Sequence, residues 1–223
     1  CISLIALSVA STVSPTLART LTVTSDGTGD FTTIQAAINA SFSGDEIIVA
    51  PGIYTGTGDV VVNLQGKRIW LHSSAGPEET FIDGESIRSG IWCRNFETPS
   101  TLIQGFTIRN GMGAEILRED GQFETFGGGI NCNRGSTPTI TECIIRDNRA
   151  LYGGGMHIQG DGLNGPVLNN CLFLDNFAGV GGGIRIVRSR ADLTTCTFYN
   201  NIAVYGGGIS NIQSSCRLTN CLF

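Results

Sequence analysis

The sequence predicts an all-β solenoid, a parallel β-helix whose open start is covered by a short helix, and three observations carry that reading. The first is a phrase written three times: apolar-x-x-Cys-x-(Phe/Ile)-x-x-Asn-x-Ala, followed by three glycines and an aliphatic residue or Met. It runs Ile140, Cys143, Ile145, Asn148, Ala150, then Gly153 to Met156. It returns as Leu168, Cys171, Phe173, Asn176, Ala178, then Gly181 to Ile184, and again as Leu193, Cys196, Phe198, Asn201, Ala203, then Gly206 to Ile209. A fourth copy opens at Leu218 and Cys221. The second observation is the period: cysteines at 143, 171, 196 and 221 step by 28, 25 and 25 residues. A unit of this size cannot bury its own apolar face and must stack on copies of itself. The third is alternation: Cys171 and Phe173 point one way and Leu172 and Leu174 the other, and Ile184 and Ile186 flank an outward Arg185.

Competing repeat architectures fail on composition. Three consecutive glycines per unit exclude helical repeats, since each would cost about 1 kcal/mol inside a helix. The dense Leu-x-x-Leu-x-Leu pattern of a leucine-rich repeat is absent. Stacked coils place like residues about 4.8 Å apart. Asn148, Asn176 and Asn201 are therefore expected to form a ladder whose amides bond along the stack and satisfy turn backbone.

Taken in order, residues 1–18 are a short apolar stretch ending in small residues before Arg19. They read as a secretory signal peptide entered partway, cleaved near Ala18, with a lipid-bearing Cys1 as the rival reading. The β-helix then occupies 19–223. Leu21 to Thr24 reads as a strand, followed by a turn-rich Ser25 to Asp30. Thr32 with Gln35 suggests a capping box, and Ile34, Ala37 and Ile38 share one face of a short helix that would cover the open end of the core. A strand from Glu46 to Ala50 runs into the Pro51-Gly52 turn.

Residues 69–84 and 102–111 read as less regular coils, in which Ile103, Phe106 and Ile108 take the places of Ile140, Cys143 and Ile145. The stretch from Met112 to Phe126 adds about a dozen residues, among them Glu115, Arg118, Glu119, Asp120 and Glu124. It is expected to be a loop thrown out from one corner. The sequence stops at Phe223 within a coil, with no capping element, so the domain is expected to be incomplete at its C-terminus.

The run DGTGDFTTIQAAINAS…GDEIIVAPGIY, Asp26 to Tyr54, resembles the capping segment of pectin-lyase-like right-handed β-helix proteins, pectin esterases included. The later FLDN (173–176), FYNN (198–201) and GGGI phrases resemble repeats of polymorphic outer membrane proteins. The resemblance implies a right-handed coil, and it is specific for fold rather than activity. Catalytic Gln, Asp and Arg motifs of the esterases are not found downstream of the cap. The adjacent aspartates and Gly-His-Gly of a two-carboxylate hydrolase do not occur either.

A net charge of −5 argues against nucleic acid and anionic membranes as partners. Basic residues are nearly all arginine, with Lys67 the single lysine, which suits bidentate pairing with carboxylates such as those of uronic-acid glycans. Of the eight cysteines, four share one inward column, and their spacing of about 4.8 Å favours a buried thiol ladder over disulfides, whose Cβ atoms want about 3.8 Å. There is no CxxC metal motif.

Two sets of candidate site residues emerge. Asp147 and Asp175 recur at one outward position, with Asn200 next and Arg146 alongside. Two carboxylates about 5 Å apart repel and could share a Ca²⁺, the single cofactor the pattern suggests; the bland reading is that each Asp opens the Asn turn. Asn131, His157 and Arg185 lie level with Ser210 on an outward file and, with Arg188, are candidates for a glycan-binding groove. A further file of Ile144, Leu172, Thr197 and Leu222 faces outward yet is mostly apolar.

The expected function is a secreted or cell-surface β-helix region with a structural, adhesive or glycan-binding role and no evident catalytic site. Its partner would be a polysaccharide or a cell-surface component, with anchoring through further C-terminal sequence. The alternative is a Ca²⁺-dependent lyase on acidic polysaccharide.

Overall fold

The computed structural model describes residues 17–117, 121 and 123–223. All but the last two residues of the predicted signal peptide therefore lie outside the described residues, as do Arg118, Glu119 and Asp120 of the insertion. Four faces of strands, parallel except for one antiparallel pair on the third, wind around one core. One coil shows the order: Thr139–Thr141 on the first face, Ile144–Arg146 on the second, Arg149–Tyr152 on the third and Met156–Gln159 on the fourth. The first face has eight strands, the second and fourth six each, and the third five.

Each face contributes at least one apolar column to the core. On the first face Ile47, Leu71, Ile103, Ile140, Leu168 and Leu193 stand along the stack, all buried. On the second, Ile82, Ile108, Ile145, Phe173 and Phe198 do the same. The Phe173 and Phe198 rings stack at 4.9 Å and 6°, and Phe198 continues onto Phe223 at 4.8 Å and 4°. That separation is the coil spacing itself, so a flat ring packs on its own repeat.

The turn between the second and third faces is held by the expected asparagine ladder. Asn148 Nδ2 donates to Ile108 O at 3.0 Å and to Asn176 Oδ1 at 3.0 Å. Asn176 Nδ2 donates to Ile145 O at 2.8 Å and to Asn201 Oδ1 at 2.9 Å. The Oδ1 atoms of Asn176 and Asn201 also accept the backbone N–H of the preceding rung's asparagine. Donors and acceptors that the turn leaves over are thus consumed inside a dry interior.

Glycine is needed where the third face turns into the fourth. Gly153 sits at φ +67°, and a Cβ on Gly154 would lie 2.5 Å from Phe177 O. The first position needs left-handed backbone; the second needs no side chain because the neighbouring coil is already there.

The helix, Ile34–Ala40, buries Ile34, Ala37 and Ile38 against the first coil as expected. Its cap differs from the expected one. Thr33, not Thr32, is extended and accepts from Ala36 N at 3.2 Å. Gln35 instead clamps the backbone of Asn63. Its Oε1 accepts from Asn63 N at 2.7 Å and its Nε2 donates to Asn63 O at 3.2 Å. Lys67 closes the other end, its ammonium donating to Ile38 O, to Asn39 O at 3.2 Å and to Ser41 O at 2.8 Å. Carbonyls at a helix end lack intrahelical partners, and the ammonium supplies them.

The expected loop from Met112 to Phe126 is a hairpin. Strands Ala114–Leu117 and Phe123–Phe126 pair antiparallel, and Phe126 then pairs in parallel with Tyr152. The insertion thus extends the third face instead of leaving the solenoid.

This packing sets the outcome of two substitutions. Asn176→Asp places an acceptor where Nδ2 meets two acceptors, and is expected to lower stability by about 3 kcal/mol in urea unfolding. Thr195 is a β-branched residue held at φ +54°, where Asn170 and Asn220 stand on neighbouring coils. Thr195→Asn is expected to raise stability by about 1 kcal/mol in the same measurement.

Candidate functional site

The predicted file on the fourth face exists in register. Asn131 pairs with Trp92 on one side and His157 on the other, and His157 pairs with Arg185, which pairs with Ser210. It is not a solvated groove, however. Asn131 is 1% exposed and His157 0%. The insertion explains the difference, because its second strand ends on this file. The Phe126 ring lies 5.0 Å from the His157 ring, and Phe126 O accepts from Asn131 Nδ2 at 3.2 Å. The Arg185 guanidinium lies 4.2 Å above the Tyr152 ring. Sequence periodicity places a residue outward but cannot show that an aromatic ring from the neighbouring face packs against it.

Burial has an electrostatic consequence. Neither ring nitrogen of His157 has a hydrogen-bond partner among the described residues. Burial, reinforced by the Arg185 charge, pushes its pKa down to about 3, so the ring is neutral at physiological pH.

Asp147 and Asp175 take left-handed backbone at φ +56° and +55° at equivalent turns, and Asn200 follows at +54°. Arg146 Nη1 meets Asp147 Oδ2 at 2.5 Å, and Asn200 Nδ2 donates to Asp175 Oδ1 at 2.5 Å. Each carboxylate therefore has its own neighbour. Among the described residues no three His, Cys, Asp or Glu side chains gather as a metal site.

The described cysteines carry no disulfide. Cys171 Sγ donates weakly to Ile140 O at 3.6 Å and Cys196 Sγ to Leu168 O at 3.7 Å, on the preceding coil in each case. Burial pushes the Cys143 thiol up to about 12. A second pair not anticipated from the repeat, Cys93 and Cys132, stands in register on the fourth face. Hydrogen bonding to Cys132, with burial, holds Cys93 well above the ordinary thiol range.

A concavity lies on the corner between the fourth face and the first. It is a cleft of about 580 Å³ lined by Arg94, Phe96, Asn133, Arg134, Gln159 and Asp161, with Gly135 and Gly160 beside them. A buried carboxylate builds this corner. Glu97 accepts from Gly66 N at 2.9 Å, Asn95 N at 3.0 Å and Ser136 Oγ at 2.7 Å, tying three successive turns together.

On that frame the Arg94 guanidinium lies 4.1 Å above the Trp92 ring. Phe96 and Arg134 are displayed by left-handed backbone at φ +60° and +56°. Burial and then the Arg134 charge lower the Arg94 pKa, but an arginine so shifted is still a cation. Neither guanidinium has an ion-pair partner among the described residues. Asn133 Oδ1 is buried without a hydrogen-bond partner among them.

Of the four predicted glycan contacts, Arg188 alone belongs to this corner. It occupies the next turn, and a Cβ on Gly160 would lie 3.2 Å from Arg188 O. Arg94 and Arg134 escaped the sequence reading because they lie in irregular coils outside the repeated phrase. The available signal was an arginine within two residues of three of the six fourth-face strand ends, at Arg94, Arg134 and Arg188.

The family described as a right handed beta helix region matches residues 88–223. No curated protein matches the chain. Among solved structures, pectate lyase Pel9A superposes with a TM-score of 0.51 at 17% identity, covering 86% of this chain and 58% of that one. Pectin methylesterase from carrot gives 0.48 at 13% identity, over 85% and 65% of the two chains. The deglycosylated pectin methylesterase from Aspergillus niger gives 0.33 at 13%, over 91% and 86%. The chain thus spans less than two thirds of the lyase and of the carrot esterase, and the likeness to the lyase, at 17% identity, is one of fold.

The buried His157 sets a pH dependence. The unfolded chain takes up its proton near 6.5 and the folded chain near 3. Between those values the unfolded state binds more protons, so stability is full above 6.5 and falls by about 1.4 kcal/mol per pH unit below it. Thermal melts of the wild type and His157→Leu between about pH 7 and 4.5 are expected to diverge, with the wild type the steeper.

Proposed function

The chain belongs to the right-handed β-helix family, and from that premise we propose that it is a non-catalytic, surface-presented region that binds an acidic glycan in the Arg94–Arg134 cleft. The observation that carries this reading is two guanidinium groups without an ion-pair partner among the described residues, held beside an exposed Phe96 in a concave corner. Arginine presents a planar fork that matches a carboxylate bidentately, and an aromatic face beside it receives the apolar side of a sugar ring. Arg188 on the next turn lengthens the basic edge along the solenoid axis, as a polymer with repeated carboxylates would require.

Presentation outside the cytoplasm draws support from two sequence features. One is the apolar segment at 1–18, and the other is the FLDN, FYNN and GGGI phrasing, which resembles polymorphic outer membrane protein repeats. Asp161 at the rim disfavours carboxylates approaching from that side and so sets the direction in which a chain enters the cleft.

The test is calorimetric titration with an oligouronate and with its neutral counterpart. Binding of the oligouronate alone is expected, weakening about tenfold or more for Arg94→Gln and again for Arg134→Gln, and weakening with added salt. Equal binding by the doubly substituted protein would overturn the cleft. Unsaturated product appearing on incubation with Ca²⁺ would overturn the non-catalytic half of the reading in favour of a lyase.

A further inference from the structure

On the first face, five successive rungs are joined on their outer side by a polar network built around an exposed indole. Trp70 is 41% exposed and stands between Glu46 and Leu102 on neighbouring rungs. Its ring stacks on that of His72 at 4.2 Å and 25°. Its Nε1 donates to Gln104 Oε1 at 3.1 Å, and Gln104 Nε2 donates to Glu142 Oε2 at 3.0 Å. His72 Nε2 meets Glu46 Oε1 at 3.1 Å, and Glu46 Oε2 accepts from Thr20 Oγ1 at 2.9 Å.

The core has no use for this indole. Leu71, the next residue, supplies the inward side chain on that rung and is fully buried. What the network does is fix the ring: one face is against imidazole, the nitrogen is tied to an amide, and the residue stays 41% exposed. A large aromatic surface already immobilised costs little further entropy when a ligand arrives. Around it stand the Gln104 amide oxygen and the Glu46 and Glu142 carboxylates, which retain lone pairs for hydroxyl donors, while both His72 nitrogens are engaged by Glu46 Oε1 and Ser73 O. An apolar ring face bordered by hydroxyl-pairing groups is the complement of a neutral pyranose, which presents C–H bonds on one side and hydroxyls at its edge. Glu46 and Glu142 both lie in the network, so an anionic sugar would meet repulsion here.

We propose that Trp70, with Gln104 and Glu46, forms a binding site for a neutral pyranose on the first face, separate from the arginine cleft on the corner. It is carried by its own observation and survives the loss of the cleft.

The experiment is ligand-observed NMR and intrinsic fluorescence on the whole chain with a panel of neutral oligosaccharides of glucose, mannose, xylose and galactose. At least one is expected to bind, with about a tenfold or greater loss in Trp70→Ala, a smaller loss in Trp70→Phe, which keeps a stacking face, and a loss in Gln104→Ala. Arg94→Gln with Arg134→Gln is expected to leave this binding unchanged. Thermal melts report whether Trp70→Ala is folded; if it is not, Trp70→Phe and Gln104→Ala carry the comparison. Undiminished binding by the folded Trp70 variants, or no response to any neutral sugar at about 10 mM, overturns the proposal. Oligouronate binding that depends only on the arginines, with no neutral sugar bound, would overturn this site and leave the cleft intact, and the converse pattern would do the opposite.

Discussion

The structure depends on vertical register: every coil completes the hydrogen bonding of the coil beneath it, and no coil is satisfied alone. The constraint is tightest at the turn between the second and third faces, where one asparagine bonds to its counterpart on the next coil and to backbone on the last. Slipping one coil by a single residue would invert its side chains and leave those groups unpaired inside an apolar column. Only side chains that tolerate a copy of themselves one coil away can occupy such a column. Asparagine does so because it donates and accepts, phenylalanine because flat rings stack at the coil spacing, and cysteine because a thiol is small and bonds weakly to a carbonyl.

Carboxylates fail that requirement, and the outward turns show how the fold responds. Asp147 turns to Arg146 beside it, and Asp175 takes the amide of Asn200, so like charges are not left facing one another. The same pressure explains Glu97. As a buried carboxylate it is tolerable because three donors from three separate turns converge on it. The result is a corner stiff enough to hold two arginines in place.

Regularity and function occupy different parts of the molecule. The three perfect repeats from Ile140 to Ile209 are devoted to stacking, whereas the cleft and the Trp70 network lie mainly on earlier, irregular coils. Where no copy of the same residue stands above and below, a side chain is released from self-complementarity and can be chosen for what it meets outside. The insertion shows the opposite outcome: a segment free to leave the solenoid instead joins its third face and covers a polar file.

How far the fold was legible in the sequence follows from what repeats. The period, the inward columns, the asparagine ladder and the capping helix face are local or periodic properties, and Ile140, Leu168 and Leu193 announce their shared column by spacing alone. The site was legible only at its margin, through Arg188. Burial of Asn131 and His157 involves Phe126, whose ring packs against His157 and whose carbonyl takes the Asn131 amide, and the union of Arg94 with Arg134 comes from turns 40 residues apart that stack on one corner. Periodicity specifies which way a side chain leaves its strand, because that is set by backbone geometry. What it meets there depends on segments with no periodic relation to it, and only the tertiary structure brings those together.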